Sequence, residues 1–390
     1  MKRNIVAVGM LLAFSAALWS CSSSDDKTPE QNQSLEQNLT SETQSLAVAV
    51  DEITASEGYG LITMSDNTKE GTEEESDERF SYGHTITLED IKGVYDYILP
   101  VPDEGTSTKM GNGYWNSAFE RVGDSDFFVI NLPQEKATRP WKLYVGEDGD
   151  SELDNDFNII ASQYNSSTVM NSEGFEFDYL LDADITIEEE AAGAIFVDWN
   201  MNMSTNMSWD YESEFSFPNG YSVGHEFQFG DTTEFAYNLK KDGEVLFMEE
   251  VEYIRSTEDN EAEYEYALTI GNIKIVKNSS SEEYMVYRNG ELEEDAVVTV
   301  LHNEDTTTGE GEEDESDDAF CRHGFDIQIT FTNEDGTQEE VILSELIGEE
   351  TLEQLNEIFS SMHDMYFVKN LVDRVAREAY QMNMQQDTGE

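Results

Sequence analysis

The chain has 390 residues, with 21 Lys and Arg against 85 Asp and Glu, a formal charge of −64. That balance excludes nucleic acid as a general partner, because phosphate binding needs a basic footprint, and it argues against docking the protein body on anionic membrane. At 38% hydrophobic and 11% aromatic the chain can still bury a core, and with only two cysteines, Cys21 and Cys321, packing rather than disulfides must hold it.

Residues 1–20 have the three parts of a secretory signal. Lys2 and Arg3 come first, then an apolar stretch over 5–18 broken by Gly9 and Ser15, then Leu18-Trp19-Ser20-Cys21. The stretch is shorter than the roughly 20 residues a spanning helix needs. Its Leu-x-Ser-Cys end resembles the bacterial lipobox, with Trp19 where a small residue is usual. The resemblance implies cleavage before Cys21 and lipidation of Cys21, several acyl chains giving a stable anchor. Ser22-Ser23-Ser24-Asp25-Asp26 is similar to the acidic signal that sends lipoproteins of Bacteroidota to the outer face of the outer membrane. Together with the order of tether, β body and helical tail, these residues resemble uncharacterised surface lipoproteins of Bacteroidota. That resemblance implies a lipid-anchored outer-membrane protein facing the cell exterior, and no particular activity. With Cys21 lipidated, Cys321 has no partner and reads as a buried structural cysteine rather than a catalytic thiol.

Residues 21–45 are rich in Ser, Asp, Glu, Gln and Asn and read as a disordered acidic tether. Residues 46–170 read as an N-terminal α+β region. A helix start is expected over 85–91, with Thr87 and Asp90 as a capping pair, and strands near 94–98, 127–132 and 141–145. Two acidic segments, 67–78 and 304–318, read as exposed loops. Glu70 to Phe80 and Glu310 to Phe320 share seven of eleven residues, through biased composition or through duplicated loops. Asp148, Asp150, Glu152, Asp154 and Asp156 place oxygens at every second position, a candidate calcium loop. It lacks the glycine and the twelfth-position glutamate of an EF-hand, and a chance acidic loop is the plainer explanation. Bound divalent cations or a saline habitat would each relieve the self-repulsion of so much charge.

Residues 171–343 read as an antiparallel meander. From 197 to 217 the odd positions include Val197, Trp199, Met201, Met203, Met207, Trp209, Tyr211, Phe215 and Phe217, while the even ones are Asp, Asn, Ser and Glu. Period two over that length means β structure with one apolar face. A loop at 204–206 pairs Trp199 with Tyr211, and a turn at Pro218-Asn219-Gly220 pairs Phe215 with Val223. The odd face continues through Phe227, Phe229, Phe235, Tyr237 and Leu239. Further turns fall at 241–243, 288–290 and 334–336, separating strands near 245–254, 264–270, 273–276, 284–287, 296–301 and 325–332. Over 344–382 the period changes to helical, predicting two helices, or one broken near 360–364, that lay an apolar stripe on the sheet. The expected fold is mainly β: an antiparallel meander, sandwich or half-barrel-like, with C-terminal α-helices packed on it.

His84, His225, His302, His323 and His363 are scattered, without metal-ligand spacing, and His225 reads as a core or rim histidine. No nucleophile elbow, phosphate loop or dinucleotide fingerprint is present. Paired carboxylates for glycoside hydrolysis are available in such numbers that none stands out. Asp231-Thr232-Thr233 and Asp305-Thr306-Thr307 are similar to the Bacteroidota O-glycosylation pattern. The ring- and Met-rich odd face, with Trp199, Met201, Met203, Met207, Trp209 and Tyr211, is either core under the C-terminal helices or a ligand face, methionine suiting adaptable surfaces. As a ligand face it resembles, in architecture alone, outer-membrane lipoprotein carriers. Three functions stay open: a non-enzymatic binding or adhesion module for a glycan or surface protein, a carrier of an apolar ligand, and a glycan-degrading hydrolase.

Overall fold

The computed structural model describes residues 34–62, 85–98, 118–137, 153–171, 174–204, 207–230, 232–255, 262–281, 283–302, 325–332, 336–361 and 366–388. The chain enters as helix α1 (Leu35–Thr54), which starts inside the expected tether and corrects it from residue 35 onward. Ser34 and Gln37 form a capping box, and Leu35, Leu39, Leu46, Val50 and Ile53 make a buried stripe. Polar composition hid a helix whose apolar residues are few but correctly spaced. The short α2 (Glu57–Ile62) follows.

Four short strands come next: β1 (Thr85–Thr87), β2 (Gly93–Tyr97), β3 (Phe119–Gly123) and β4 (Phe128–Leu132). The expected helix near 85–91 is one turn, α3 (Leu88–Ile91), capped as anticipated by Thr87 with Asp90. A second single turn, α4 (Gln134–Ala137), follows β4. These strands are not a separate α+β unit. β1 and β4 both pair with β5 (Phe157–Asn171), so the N-terminal region belongs to the same sheet as the meander.

From β5 the chain runs back and forth through β6 (Gly174–Ile187), β7 (Glu190–Asn202), β8 (Ser208–Ser216), β9 (Tyr221–Phe229), β10 (Thr232–Lys241), β11 (Glu244–Arg255), β12 (Ala262–Ile270), β13 (Ile273–Asn278), β14 (Met285–Arg288) and β15 (Glu291–Leu292). Each pairs antiparallel with its sequence neighbour; β2 and β4 are parallel. Among the described residues the sheet is open, with β15 at one end and β3 at the other, and no barrel closes. The anticipated registers are present: Trp199 faces Tyr211 and Phe215 faces Val223. The turns at Asp242-Gly243 and Asn289-Gly290 place both central residues at positive φ (50° and 87°, 55° and 79°), the twist that suits a two-residue hairpin.

A separate three-stranded sheet holds β16 (Val297–His302), β17 (Phe325–Thr332) and β18 (Gln338–Ile342). The chain ends in α5 (Leu343–Ile347), α6 (Glu349–Ser361) and α7 (Tyr366–Thr388). The expected strand near 141–145 and both acidic segments lie outside the described residues, as do the first two residues of the turn at 334–336; the third, Gly336, has φ 82°.

Parity divides the large sheet. Odd-position Ile195, Phe215, Val223, Leu239 and Phe247 are buried and lie opposite one another across five strands. Phe359 of α6 packs over this row and the next, 5.7 Å from Phe247 and 5.3 Å from Tyr237 between ring centroids. α7 is tied down by a buried pair: Lys369 Nζ lies 2.7 Å from Asp373 Oδ2, and Tyr164 Oη donates to Asp373 Oδ1 at 3.1 Å. On the opposite face a polar ladder crosses four strands. Asn131 donates to Asp96 (2.7 Å), Asn158 to Asn131 (2.8 Å) and Thr186 to Asn158 (3.2 Å).

Candidate functional site

The odd face is both core and surface. Its inner rows lie under the helices; its outer rows, toward the β7–β8 and β11–β12 turns, reach solvent. In one row Trp199, Tyr211, Phe227 and Phe235 are cross-strand neighbours and half-buried. Beyond them, Met201 faces Trp209, Trp209 faces Phe229, and Tyr253 faces Tyr264. Exposure rises outward: Trp209 36%, Tyr264 39%, Tyr253 49%, Met207 49% and Met203 50%. We call this outer band the aromatic shelf.

Ring contacts hold the shelf in shape. Trp199 and Trp209 stack at 5.9 Å and 19°. Trp209 meets Phe227 edge-on at 5.1 Å, and Trp199 meets Tyr211 edge-on at 5.9 Å. Such pairs add about 0.5–1.5 kcal/mol each beyond area burial, so the rings hold one another in place. At the shelf's inner margin His225 stacks on Tyr237 at 4.8 Å and lies against Phe235 and Tyr211. It is half-buried among rings, as expected of a rim histidine.

On β7 to β10 the described part of the shelf is uncharged, whereas Arg255 ends β11 two residues beyond Tyr253. Between Ile195 and Leu239 no odd strand position carries Asp, Glu, Lys or Arg. Glu249 is on this face, but it lies inward and accepts a hydrogen bond from Tyr266 Oη at 3.2 Å. Burial first, and then Glu249, hold the Tyr266 hydroxyl well above the usual phenol range. Lys369 approaches from α7, its Nζ 4.3 Å from the Tyr179 ring centroid and 6.0 Å from that of Trp199. It is buried and paired with Asp373.

The even face of the same strands is the reverse. Asp198, Glu212 and Glu226 face one another in series across β7, β8 and β9. With Asp210 and Glu234 they line an open depression of about 280 Å³. Burial and then neighbouring carboxylates raise Asp198, Glu212 and Glu234 above the usual carboxylate range. Nearby cations are Lys240, 3.8 Å from Glu214, and Lys274, 3.5 Å from Glu250.

Of the six ring and Met positions singled out from sequence, Met201, Met203, Met207 and Trp209 lie on the outer band, and Trp199 and Tyr211 in the half-buried row behind it. The candidate calcium loop lies mostly outside the described residues. Asp148, Asp150 and Glu152 lie outside them, Asp154 is exposed, and Asp156 accepts from the Gln134 amide at 2.9 Å. No group of three His, Cys, Asp or Glu side chains is placed to hold a metal among the described residues. Cys21, Cys321, Asp231 and residues 305–307 also lie outside the described residues. Among those described, no helix is long and apolar enough to cross a membrane. The depression on the even face went unnoticed in the sequence; its signal was the run of even-position acids, read only as the solvated side of a strand. No protein-family model, curated protein or solved structure matches this chain.

Proposed function

We propose that this chain is a non-enzymatic binding or adhesion module, lipid-anchored through Cys21 at the outer-membrane surface, and that the aromatic shelf is its recognition surface. The observation that carries the reading is the break in helical cover: the same odd-face pattern that builds the core continues outward as rings open to solvent. Contiguous apolar area of this kind on a soluble body marks an interaction site, and Trp, Tyr and Met are the side chains that recognition surfaces favour. A carrier would enclose most of an apolar ligand, whereas the shelf offers contact from one side. A hydrolase would need its carboxylates beside the bound glycan, yet the raised carboxylates and the rings lie on opposite faces of one sheet.

The test is a binding screen of the purified full chain against glycans, vesicles and surface-protein fractions, run beside a Trp209→Ser/Tyr253→Ser/Tyr264→Ser variant. A ligand held by the parent and released by the variant supports the proposal. Equal binding by both, or turnover of a bound glycan, overturns it. Palmitate labelling of cells checks the anchor: the label should disappear in Cys21→Ala, and its retention would refute lipidation at that residue.

A further inference from the structure

Resting on the shelf as the recognition surface, we infer that its occupant is a neutral polysaccharide, with sugar rings laid on Trp209, Tyr253 and Tyr264. Three observations select that chemistry. The first is charge. The body carries −64 and the reverse face of the same strands is lined with carboxylates, so a polyanion is repelled on approach. A second copy of the chain is repelled for the same reason. The second is the shelf itself. Its odd strand positions from Ile195 to Leu239 hold no carboxylate, and Glu249, on the same face of β11, lies inward and is bonded to Tyr266, so the described outer band gives a cationic partner no counter-ion and matches an uncharged ligand.

The third is the shape of the exposure. Trp209, Tyr264 and Tyr253 are 36%, 39% and 49% exposed, so each ring is packed in part against its neighbours and open in part to water. An acyl chain on such a ledge stays half wet, and most of its transfer free energy is not realised. A pyranose ring has an apolar C–H face and a rim of hydroxyls. It can give the face to an aromatic ring and keep the rim hydrated. Trp and Tyr suit this contact because each is a large rigid plane with a polar edge. Their spread over β8, β11 and β12 fits a ligand that extends across strands, as a chain of sugars does and a monosaccharide does not.

Affinity electrophoresis of the full chain tests this, in gels containing a neutral β-glucan, xyloglucan or mannan, with polygalacturonate as the anionic counterpart. Flotation with neutral phosphatidylcholine vesicles runs in parallel. At least one neutral polysaccharide should retard the protein and polygalacturonate should not. Trp209→Ala and Tyr253→Ala should each weaken retardation by about tenfold, with circular dichroism unchanged. Trp209→Phe, which keeps a ring, should weaken it less, and Asp210→Asn on the reverse face should leave it unaltered. No retardation by any of the three neutral polysaccharides overturns the inference. Shelf-dependent binding to vesicles instead overturns the ligand class and leaves the recognition surface standing. Retardation that survives both alanine variants overturns the recognition surface as well.

Discussion

The buried pair on α7 gives a sharp prediction. Lys369 and Asp373 have side chains 10% and 12% exposed, and the Asp373 carboxylate also accepts from Tyr164. Burial, followed by the charge of Asp373, holds the Tyr164 and Tyr179 hydroxyls well above the usual phenol range, so both stay protonated as donors. Asp373→Ala leaves an ammonium in that site with the rings of Tyr179 and Trp199, 4.3 and 6.0 Å away, in place of a counter-ion, and takes the Asp373 acceptor from Tyr164. Breaking a buried pair from one side costs about 3–5 kcal/mol, and an orphaned buried hydroxyl about 1–3. The two overlap, and we expect a loss of about 4 kcal/mol. Lys369→Met/Asp373→Leu removes both charges and should lie within about 1–2 kcal/mol of the parent, or above it. Urea denaturation at pH 7, with hydrogen exchange on the α7 amides, reads both variants. A loss under about 1 kcal/mol for Asp373→Ala, or a double variant as unstable as the single, would refute the reasoning.

Glu212 faces Asp198 on one side and Glu226 on the other, and like charges directly opposite each cost about 0.2–1 kcal/mol. Solvent contact and Lys240 reduce this, so Glu212→Gln should stabilise by about 0.5–1 kcal/mol at pH 7. Its carboxyl is raised in the folded state, so the parent's deficit is absent below the usual carboxylate range and grows as pH rises through the folded value. Denaturation midpoints of parent and variant should therefore coincide near pH 4 and separate toward pH 7, less so in high salt; a gap independent of pH refutes the assignment. In α2, a Cβ on Gly58 would lie 2.4 Å from the Ala192 carbonyl oxygen and 3.1 Å from both Phe215 and Phe217. Gly58→Ala should cost about 1–3 kcal/mol in thermal unfolding. Gly60→Ala in the same helix, where nothing lies within 4 Å, should be neutral or stabilising by up to about 1 kcal/mol.

Much of the meander was legible because strand parity and turn chemistry are local. The alternation from Val197 to Phe217 gave the faces, and Pro218-Asn219-Gly220 with its odd loop length gave the register. Asp242-Gly243 and Asn289-Gly290 marked hairpins that need φ above zero. Where a turn broke those rules it left no mark: the β6–β7 turn puts Glu188 and Glu189 at φ 50° and 71°, with neither Gly nor Asn to announce it. Helix α1 was missed for a related reason, since its stripe is sparse among polar residues and its burial comes from elements hundreds of residues away, α5, α6, β11 and β12.

Sequence alone settled that rings and methionines share one side of β7 to β10 and acids the other, because successive side chains of a strand must point to opposite faces. It also settled that helices close the chain. Tertiary structure decided which rows of rings those helices cover. The arrival of Phe359 over Tyr237 and Phe247, and of Lys369 over Tyr179, depends on long-range packing that no local pattern encodes. Where those contacts stop, a face that alternation alone leaves as core or ligand surface becomes a shelf open to solvent.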